Sequence, residues 1–401
     1  MSLLGNPEKS FRFLLLSRSV RSAALVFTNL SVPLYLSDIG FPVITIGLVL
    51  AGMALYTMLL SLFLPMIGDR IGFKRILIYG EIPAVFALST LAFSTNWIAI
   101  TAAVIVGGVG GTPGAMRGFF SPGLTAYVAG QWPSRTERQS RIGQISGVGS
   151  LSAITGGVLL TIHSYLSPIL GNAPAFRFLF SIAAVLALIS LFSLTLLSET
   201  RPETRKKGLL TAKSARYTLR VLGATAINGS AIGIGISILP LWWRFMFGLG
   251  SFWIGTIFSL SYLMTGVFSI VSSRIKFSSP HSALMTASTA WILQGVALAL
   301  MALSPLFCLA AGFYVLRSAI AGFGSPIRSS INVQGIREGD FGAATGIQGM
   351  AVRMAQSSSG ASGYLLETSV PLPEEVAGVL QMLAGTVYFV LFRKIYRQAT
   401  T

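Results

Sequence analysis

Long apolar segments separated by short polar ones dominate the chain. A transmembrane helix needs about 20 mostly apolar residues, and twelve segments fit that length. They are residues 11–36, 43–67, 76–93, 97–129, 143–166, 175–197, 218–244, 251–273, 283–303, 306–330, 343–367 and 374–396. The pattern predicts an all-α membrane protein with twelve transmembrane helices, numbered here as spans 1 to 12.

The longest polar stretch, residues 198–217, separates the first six spans from the last six. We predict an N-terminal half at 1–197, a cytoplasmic linker at 198–217 and a C-terminal half at 218–401. The basic residues of the linker are those of a solvated connector beside anionic lipid headgroups rather than of a dedicated partner-binding segment.

Short motifs recur 204 residues apart in the two halves. The matches are Arg12-Phe13 with Arg216-Tyr217, Arg70-Ile71 with Arg274-Ile275, and Ser121-Pro122 with Ser325-Pro326. Three matches at one offset indicate a parallel duplication about an axis along the membrane normal.

The net charge of +17 could indicate a nucleic-acid or other anionic partner. Most of the basic residues, however, fall on one side of the predicted spans, which is the positive-inside bias and places both termini in the cytoplasm. No basic segment is interleaved with aromatic residues. We therefore expect a multi-pass protein of the cell (plasma) membrane, in contact with the lipid bilayer and with no nucleic-acid partner. The first apolar run is expected to be retained as a span, because it is too long for a signal peptide.

A charged loop, Gly68 to Arg75, joins spans 2 and 3. The pattern Asp69-Arg70-x-Gly72-x-Lys74-Arg75 at this place, with two six-span halves and a basic linker, resembles the major facilitator superfamily of secondary transporters. The sequence departs from the family pattern at Pro65, where a glycine is usual, and at Phe73, where a basic residue is usual.

The resemblance implies two pseudo-symmetric six-helix bundles and a gating role for the loop. The residues concerned are Gly68, Asp69, Arg70, Gly72, Lys74 and Arg75. Asp69 and its basic neighbours would close the cytoplasmic side against span 11 while the transporter faces outward. The equivalent loop of the C-terminal half has Ser273 in place of Asp69, so the closure would be asymmetric. Alternatively, these charges only determine topology.

Ionisable residues inside a bilayer are costly, so each is a candidate for function. Away from their ends, the spans contain the arginines Arg18, Arg21, Arg117, Arg317 and Arg353, with Glu81 as the carboxylate. Arg21, Arg317 and Arg353 lie close to the midplane. Arg18 and Arg117 are near enough to the cytoplasm to snorkel, and Glu81 is expected to pair with a nearby basic residue.

The family arranges spans 1, 4, 7 and 10 around a central cavity, with spans 2, 5, 8 and 11 at its sides. On those spans the predicted substrate-binding residues are Arg21, Asn29, Arg117, Asn228, Arg317, Arg353 and Gln356. The last two belong to a polar stripe on span 11 that continues to Ser357 and Gly360. Three midplane arginines with almost no balancing carboxylate favour an anionic or zwitterionic substrate; alternatively, each arginine only braces helices.

Span 5 is rich in Gly and Ser and is similar to the fifth span of drug–proton antiporters of the family. Ala153 stands where the antiporter proline is expected, so we interpret these residues as helix packing. Export of amphipathic compounds by proton antiport remains the second hypothesis. Trp242, Trp243 and Trp253 are interpreted as an interfacial belt.

Catalytic and metal-binding patterns are missing from the sequence. There is no HExxH, no phosphate-binding loop and no buried carboxylate pair, and Cys308 is the single cysteine. We expect a monomeric carrier without a cofactor, acting on a small-molecule substrate with a coupling ion or counter-substrate. A membrane-embedded enzyme and a passive channel are the remaining alternatives.

Overall fold

A computed structural model describes residues 7–108, 124, 127–128, 131–132, 135–199, 211–275, 277, 279–337 and 340–398. Their regular structure is helical, with no strand in these ranges. The α-helices are α1 (Pro7–Asp38), α2 (Val43–Ile71), α3 (Phe73–Phe93), α4 (Trp97–Gly107), α5 (Arg135–Leu170), α6 (Asn172–Thr195), α7 (Ala212–Ala231), α8 (Leu239–Phe247), α9 (Ser251–Ser273), α10 (Pro280–Ala302), α11 (Phe307–Gln334), α12 (Phe341–Gln356), α13 (Ser359–Thr368) and α14 (Leu372–Gln398).

Nine helical segments in the described ranges are long and apolar enough to cross a membrane. They lie within α2, α3, α5, α6, α7 with the π-helical turn that follows it, α9, α10, α11 and α14. Large apolar side chains such as Phe86, Ile169 and Phe192 are exposed on their surfaces, as expected of helices that face lipid rather than water. The prediction of an all-α membrane protein is confirmed.

The helices repeat along the chain. Each of the pairs α1/α7, α2/α9, α3/α10, α4/α11, α5/α12 and α6/α14 begins at residues that are 200 to 210 positions apart, for example Asn172 and Leu372. This spacing brackets the 204-residue offset of the sequence motifs, so the duplication extends over the whole succession of helices.

Two of the predicted spans are interrupted. Span 7 consists of α7, a π-helical turn at Ile232–Ile236 and α8, and span 11 consists of α12 and α13 with Ser357 and Ser358 between them. The interruptions touch each other, because Ser358 Oγ donates a hydrogen bond to the carbonyl of Ser230 at 3.0 Å. Interrupted membrane helices and π-helical turns are frequent at functional sites.

The residues cluster into two compact units. Unit 1 comprises Met1–Pro42, Gly52–Lys207 and Gly250–Ser259, and unit 2 comprises Val43–Ala51, Gly208–Leu249 and Leu260–Thr401. Each unit has an aromatic and aliphatic core, with Phe11 and Trp132 in unit 1 and Tyr217, Trp291 and Tyr388 in unit 2. The boundaries predicted for the two halves stay a prediction, since linker residues 200–210 lie outside the described residues.

Candidate functional site

Unit 1 contains a buried ion pair between Arg21 of α1 and Glu81 of α3, formed by Nη1 and Oε2. Their side chains are 4% and 0% exposed, respectively. The structure thus confirms that Glu81 pairs with a basic residue. It also gives Arg21 a carboxylate partner, which reduces the charge imbalance expected from the sequence.

Arg18 lies one turn before Arg21 on α1 and is 1% exposed. The expectation that it snorkels to the cytoplasmic interface is therefore wrong, because a snorkelling side chain leaves its charged end in contact with water. Its guanidinium lies beside Gly149 of α5. Nε and Nη2 have no hydrogen-bond partner within the part of the chain that the structure describes.

Two further predicted substrate-binding residues, Asn29 and Arg117, belong to the N-terminal half. Asn29 lies on α1, eight residues after Arg21, and is partly buried. Arg117 and most of the glycine-rich segment of span 4 fall outside the described residues, so the assignment of Arg117 to the substrate site remains a prediction.

Unit 2 contains a polar network that joins four helices. Arg317 of α11 donates from Nη2 to Oε1 of Gln381 of α14 at 3.5 Å. The Nε2 of Gln381 donates to Asn228 Oδ1 of α7 at 3.0 Å and to Gln294 Oε1 of α10 at 3.4 Å. All four side chains are buried. Gln381 connects two predicted candidates, Asn228 and Arg317, and Gln294 joins the same amide group. The sequence reasoning had missed both glutamines.

A second buried carboxylate, Glu374, lies at the start of α14 and is 0% exposed. Neither of its oxygens has a hydrogen-bond donor among the described residues. Oε2 would be 2.7 Å from a Cβ atom placed on Gly235 of the π-helical turn, and Arg317 is within electrostatic range. Glu374 escaped the sequence reasoning because an acidic residue in the first turn of a helix is ordinary.

The two tryptophans of α8 are not part of an interfacial belt. Trp242 and Trp243 are fully buried and pack against Phe247 with ring-centroid distances of 5.8 and 5.6 Å. Trp243 also contacts Tyr314 of α11 at 6.2 Å, and the Cζ of Arg317 lies 6.0 Å from the Tyr314 ring centroid. The belt interpretation was wrong for these two residues but suits Trp253, which is 48% exposed.

Arg353 and Gln356 lie at the end of α12, where span 11 is interrupted. Arg353 is 8% exposed, and Nε2 of Gln356 has no acceptor within the described ranges. The helix ends at Gln356, so the predicted polar stripe through Ser357 to Gly360 is not one continuous helical face. The carbonyl of Gln356 instead abuts the π-helical turn, 2.5 Å from where a Cβ on Gly233 would lie.

The charged segment between spans 2 and 3 is shorter than predicted. α2 continues to Ile71, so Gly72, with a φ of 98°, is the single residue between α2 and α3. The carboxylate seen here belongs to Glu199, which follows α6 and accepts hydrogen bonds from the backbone N–H groups of Phe73 and Lys74 at 2.6 and 3.1 Å. The side chains of Gly68, Asp69 and Arg70 lie outside the described residues, and the gating role of this segment remains a prediction.

Comparison with known proteins agrees with this architecture. The family described as Major Facilitator Superfamily matches residues 14–360. Similar solved structures include the human organic anion transporter MFSD10 (TETRAN), with 15% identity and a TM-score of 0.69 over 96% of this chain and 99% of that chain. No curated protein matched the sequence.

Two further solved structures have the same fold. One, from a study of substrate recognition in proton dependent oligopeptide transporters, has 12% identity and a TM-score of 0.75 over 97% of this chain and 99% of that one. The nucleoside transporter NupG has 13% identity and a TM-score of 0.69 over 96% of this chain and 100% of that one. At these identities the similarity establishes the fold and not the substrate.

Proposed function

Because the chain belongs to the major facilitator superfamily, we propose that it is a secondary active transporter that moves a small anionic or zwitterionic solute by alternating access. The observation that carries this proposal is the sign of the buried charges. Among the described residues four arginines are buried, Arg18, Arg21, Arg317 and Arg353, against two glutamates, Glu81 and Glu374.

An excess of buried cations is costly unless something compensates it. The pair between Arg21 and Glu81 accounts for one positive and one negative charge. Glu374 lies within electrostatic range of Arg317, but its carboxylate accepts no hydrogen bond in the described part of the chain. A bound carboxylate or phosphate would supply the missing negative charge, and guanidinium groups suit both.

In unit 2 the side chain of Arg317 has the features of a substrate-binding arginine. Its Nε has no hydrogen-bond partner among the described residues, while Nη2 is held by Gln381 at the long distance of 3.5 Å. The donors that remain can reach an anion without breaking a strong contact. The interruptions at Ile232–Ile236 and Ser357–Ser358 lie in spans 7 and 11. Span 7 also carries Asn228, which belongs to the same network as Arg317.

A second candidate function is the export of amphipathic cations in exchange for protons. The buried carboxylate of Glu374 and the aromatic cluster of Trp242, Trp243 and Tyr314 favour it, since aromatic faces and a carboxylate together recognise an organic cation. Under this hypothesis Glu374, rather than Arg317, would contact the solute.

We further propose that both termini are cytoplasmic, that the protein resides in the cell membrane and that it acts as a monomer. The charge bias of the sequence supports the orientation. A coupling ion or a counter-substrate would drive the transport cycle. The assignment of the 68–75 segment to cytoplasmic gating belongs to the same proposal.

Transport by purified protein in liposomes tests the substrate class. Arg317→Gln and Arg353→Gln are each expected to raise the KM for an anionic solute, with Arg393→Gln, an exposed arginine of α14, as the matched control. An unchanged KM in both buried-arginine variants would reject the anion site. A KM that rises for Glu374→Gln only, with a cationic solute, would favour the export hypothesis.

A further inference from the structure

We propose that Arg18 is the anion-binding residue of unit 1 and that its guanidinium receives a carboxylate or phosphate group of the solute beside Gly149 of α5. The inference rests on the proposed function, because the ligand is the solute that the transporter carries. It adds a residue that the sequence had placed at the cytoplasmic interface.

The guanidinium of Arg18 is buried without an ion pair among the described residues. The side chain is 1% exposed, and its Nε and Nη2 atoms have no hydrogen-bond partner within the described ranges. A buried charge normally has both a counter-charge and hydrogen bonds, since leaving it without them is strongly unfavourable. With no ion pair and two unused donors among the described residues, the Arg18 guanidinium is suited to bind an anionic ligand.

The buried carboxylate described in unit 1 is already engaged. Glu81 is the buried acidic residue described in unit 1, and it forms its ion pair with Arg21. Arg21 lies one turn from Arg18 on the same helix, so the two positive charges repel each other. An oxyanion beside Arg18 would neutralise this excess.

The unpartnered atoms match the geometry of an oxyanion. Nε and Nη2 form one edge of the guanidinium, and their N–H bonds along this edge point in the same direction. Carboxylate and phosphate groups accept two parallel hydrogen bonds from such an edge. An arginine that braced the helices would instead be expected to donate to backbone carbonyls, and the adjacent carbonyl of Gly149 is taken by Ser22 Oγ at 2.6 Å.

Glycine at position 149 provides the room for this edge. A Cβ atom there would lie 2.8 Å from Nε and 3.2 Å from Nη2 of Arg18. A second contact between the same helices, from Ser19 Oγ to Ser152 Oγ at 2.7 Å, holds α1 against α5. The guanidinium is thus packed against α5, while its Nε and Nη2 atoms have no hydrogen-bond partner in the described ranges.

Binding titrations test the proposal on the purified full-length protein in phosphatidylcholine nanodiscs, which contain no anionic lipid. The probes are sodium succinate and inorganic phosphate, followed by isothermal titration calorimetry. Arg18→Gln is expected to weaken binding of at least one probe by about 30-fold or more. Arg18→Lys is expected to weaken it as well, because lysine has the charge but not the paired donors.

Two glycine variants keep the test decisive if Arg18→Gln does not fold. Gly149→Ala is expected to weaken binding, because its Cβ displaces the guanidinium. Gly147→Ala on the same helix is the matched control and is expected to bind normally, since a Cβ there has no neighbour within 4 Å. The Tm of Arg18→Gln without probe should not fall, because the substitution removes an uncompensated charge.

Three results would overturn the inference. Normal probe binding by Arg18→Gln with a lowered Tm would make Arg18 a structural brace, leaving the proposed function intact. Arg18→Gln could bind succinate and phosphate normally in phosphatidylcholine and bind them more weakly only in nanodiscs that contain phosphatidylglycerol. That result would assign the residue to a lipid headgroup. Absence of binding of either probe to the unmodified protein would overturn the inference together with the anionic substrate class.

Discussion

Arg21 and Glu81 neutralise each other within unit 1, whereas Glu374 in unit 2 is equally buried but has no hydrogen-bond donor in the described part of the chain. The same Glu→Gln substitution should therefore have opposite consequences at the two positions. Glu81→Gln leaves a buried guanidinium without its counter-charge and should destabilise the protein by about 3–5 kcal/mol. Glu374→Gln removes a buried carboxylate that accepts no hydrogen bond among the described residues, so the Tm should stay unchanged or rise.

Thermal unfolding of both variants in the same detergent measures the difference. Equal losses of Tm in the two variants would show that Glu374 has a stabilising partner like that of Glu81. A Glu81→Gln variant as stable as the unmodified protein would contradict the ion pair.

Glu199 stabilises the N-terminus of α3. It satisfies two backbone N–H groups, those of Phe73 and Lys74, and its negative charge suits this end of a helix. Glu199→Ala should cost about 1 kcal/mol and should accelerate hydrogen exchange at these two amides. Unchanged exchange at both amides would exclude the cap.

The same segment carries the proposed gate. Asp69→Asn is expected to leave the protein inserted in the membrane and folded while sharply slowing transport in proteoliposomes, because the amide lacks the charge that a closed cytoplasmic side would require. A normal transport rate would reduce Asp69 to a determinant of topology. The control is Glu199→Gln, which changes the neighbouring carboxylate in the same way.

In unit 1, α5 packs closely against the first turns of α9. A single methyl group added at this contact is therefore expected to destabilise the protein. A Cβ atom on Gly157 would lie 2.8 Å from the carbonyl oxygen of Gly255 and 2.9 Å from the backbone nitrogen of Ser259. Because backbone cannot move aside as a flexible side chain can, Gly157→Ala should destabilise the protein by about 1–3 kcal/mol. Gly147→Ala is the control and should leave the Tm unchanged.

Asp340 joins the start of α7 to the start of α12 through Thr211. Its Oδ2 accepts hydrogen bonds from the backbone N–H and the hydroxyl of Thr211 at 3.2 and 2.7 Å. Hydrogen bonds from Ser214 and Thr211 lower the pKa of the Asp340 carboxyl below its ordinary value. The carboxylate therefore contributes stability above the ordinary pKa of about 3.9, and this contribution disappears as the pH falls through the lower pKa of the folded protein.

Asp340→Asn should accordingly lower the Tm at pH 7. The difference in Tm between this variant and the unmodified protein should shrink as the pH falls below about 4. Thr211→Val, which removes one of the donors, should show the same trend. A Tm difference that is constant over this pH range would contradict the assignment.

The periodicity of apolar residues was sufficient to predict the fold class, because a helix that crosses a membrane needs a length that few other structures have. The repeat was also visible in the sequence, since Arg70 and Arg274 are separated by the same 204 residues as the other matched pairs. The interruptions of spans 7 and 11 were not predicted. Apolar runs through Ile232–Ile236 continue without a proline, so the break depends on tertiary contacts of Gly233 and Gly235.

The site was only partly predictable, because the sequence identifies a buried charge but not its partner. Arg317 and Asn228 were recognised as candidates, while Gln381, which joins them, has no sequence signal on a peripheral span. Arg18 was assigned to the interface from its shallow position in predicted span 1, although its burial depends on α5. Glu199 was assigned to a solvated linker, since its contact with Phe73 is 126 residues away in sequence.

The central claim is that the protein carries an anionic solute at its buried arginines. Counterflow in proteoliposomes loaded with succinate, phosphate or an organic cation tests it most directly. The account predicts saturable uptake of an anion that is accelerated by the same anion on the far side, with a raised KM in Arg317→Gln. Accelerated exchange of the cation alone, unchanged in Arg317→Gln and abolished in Glu374→Gln, would contradict it.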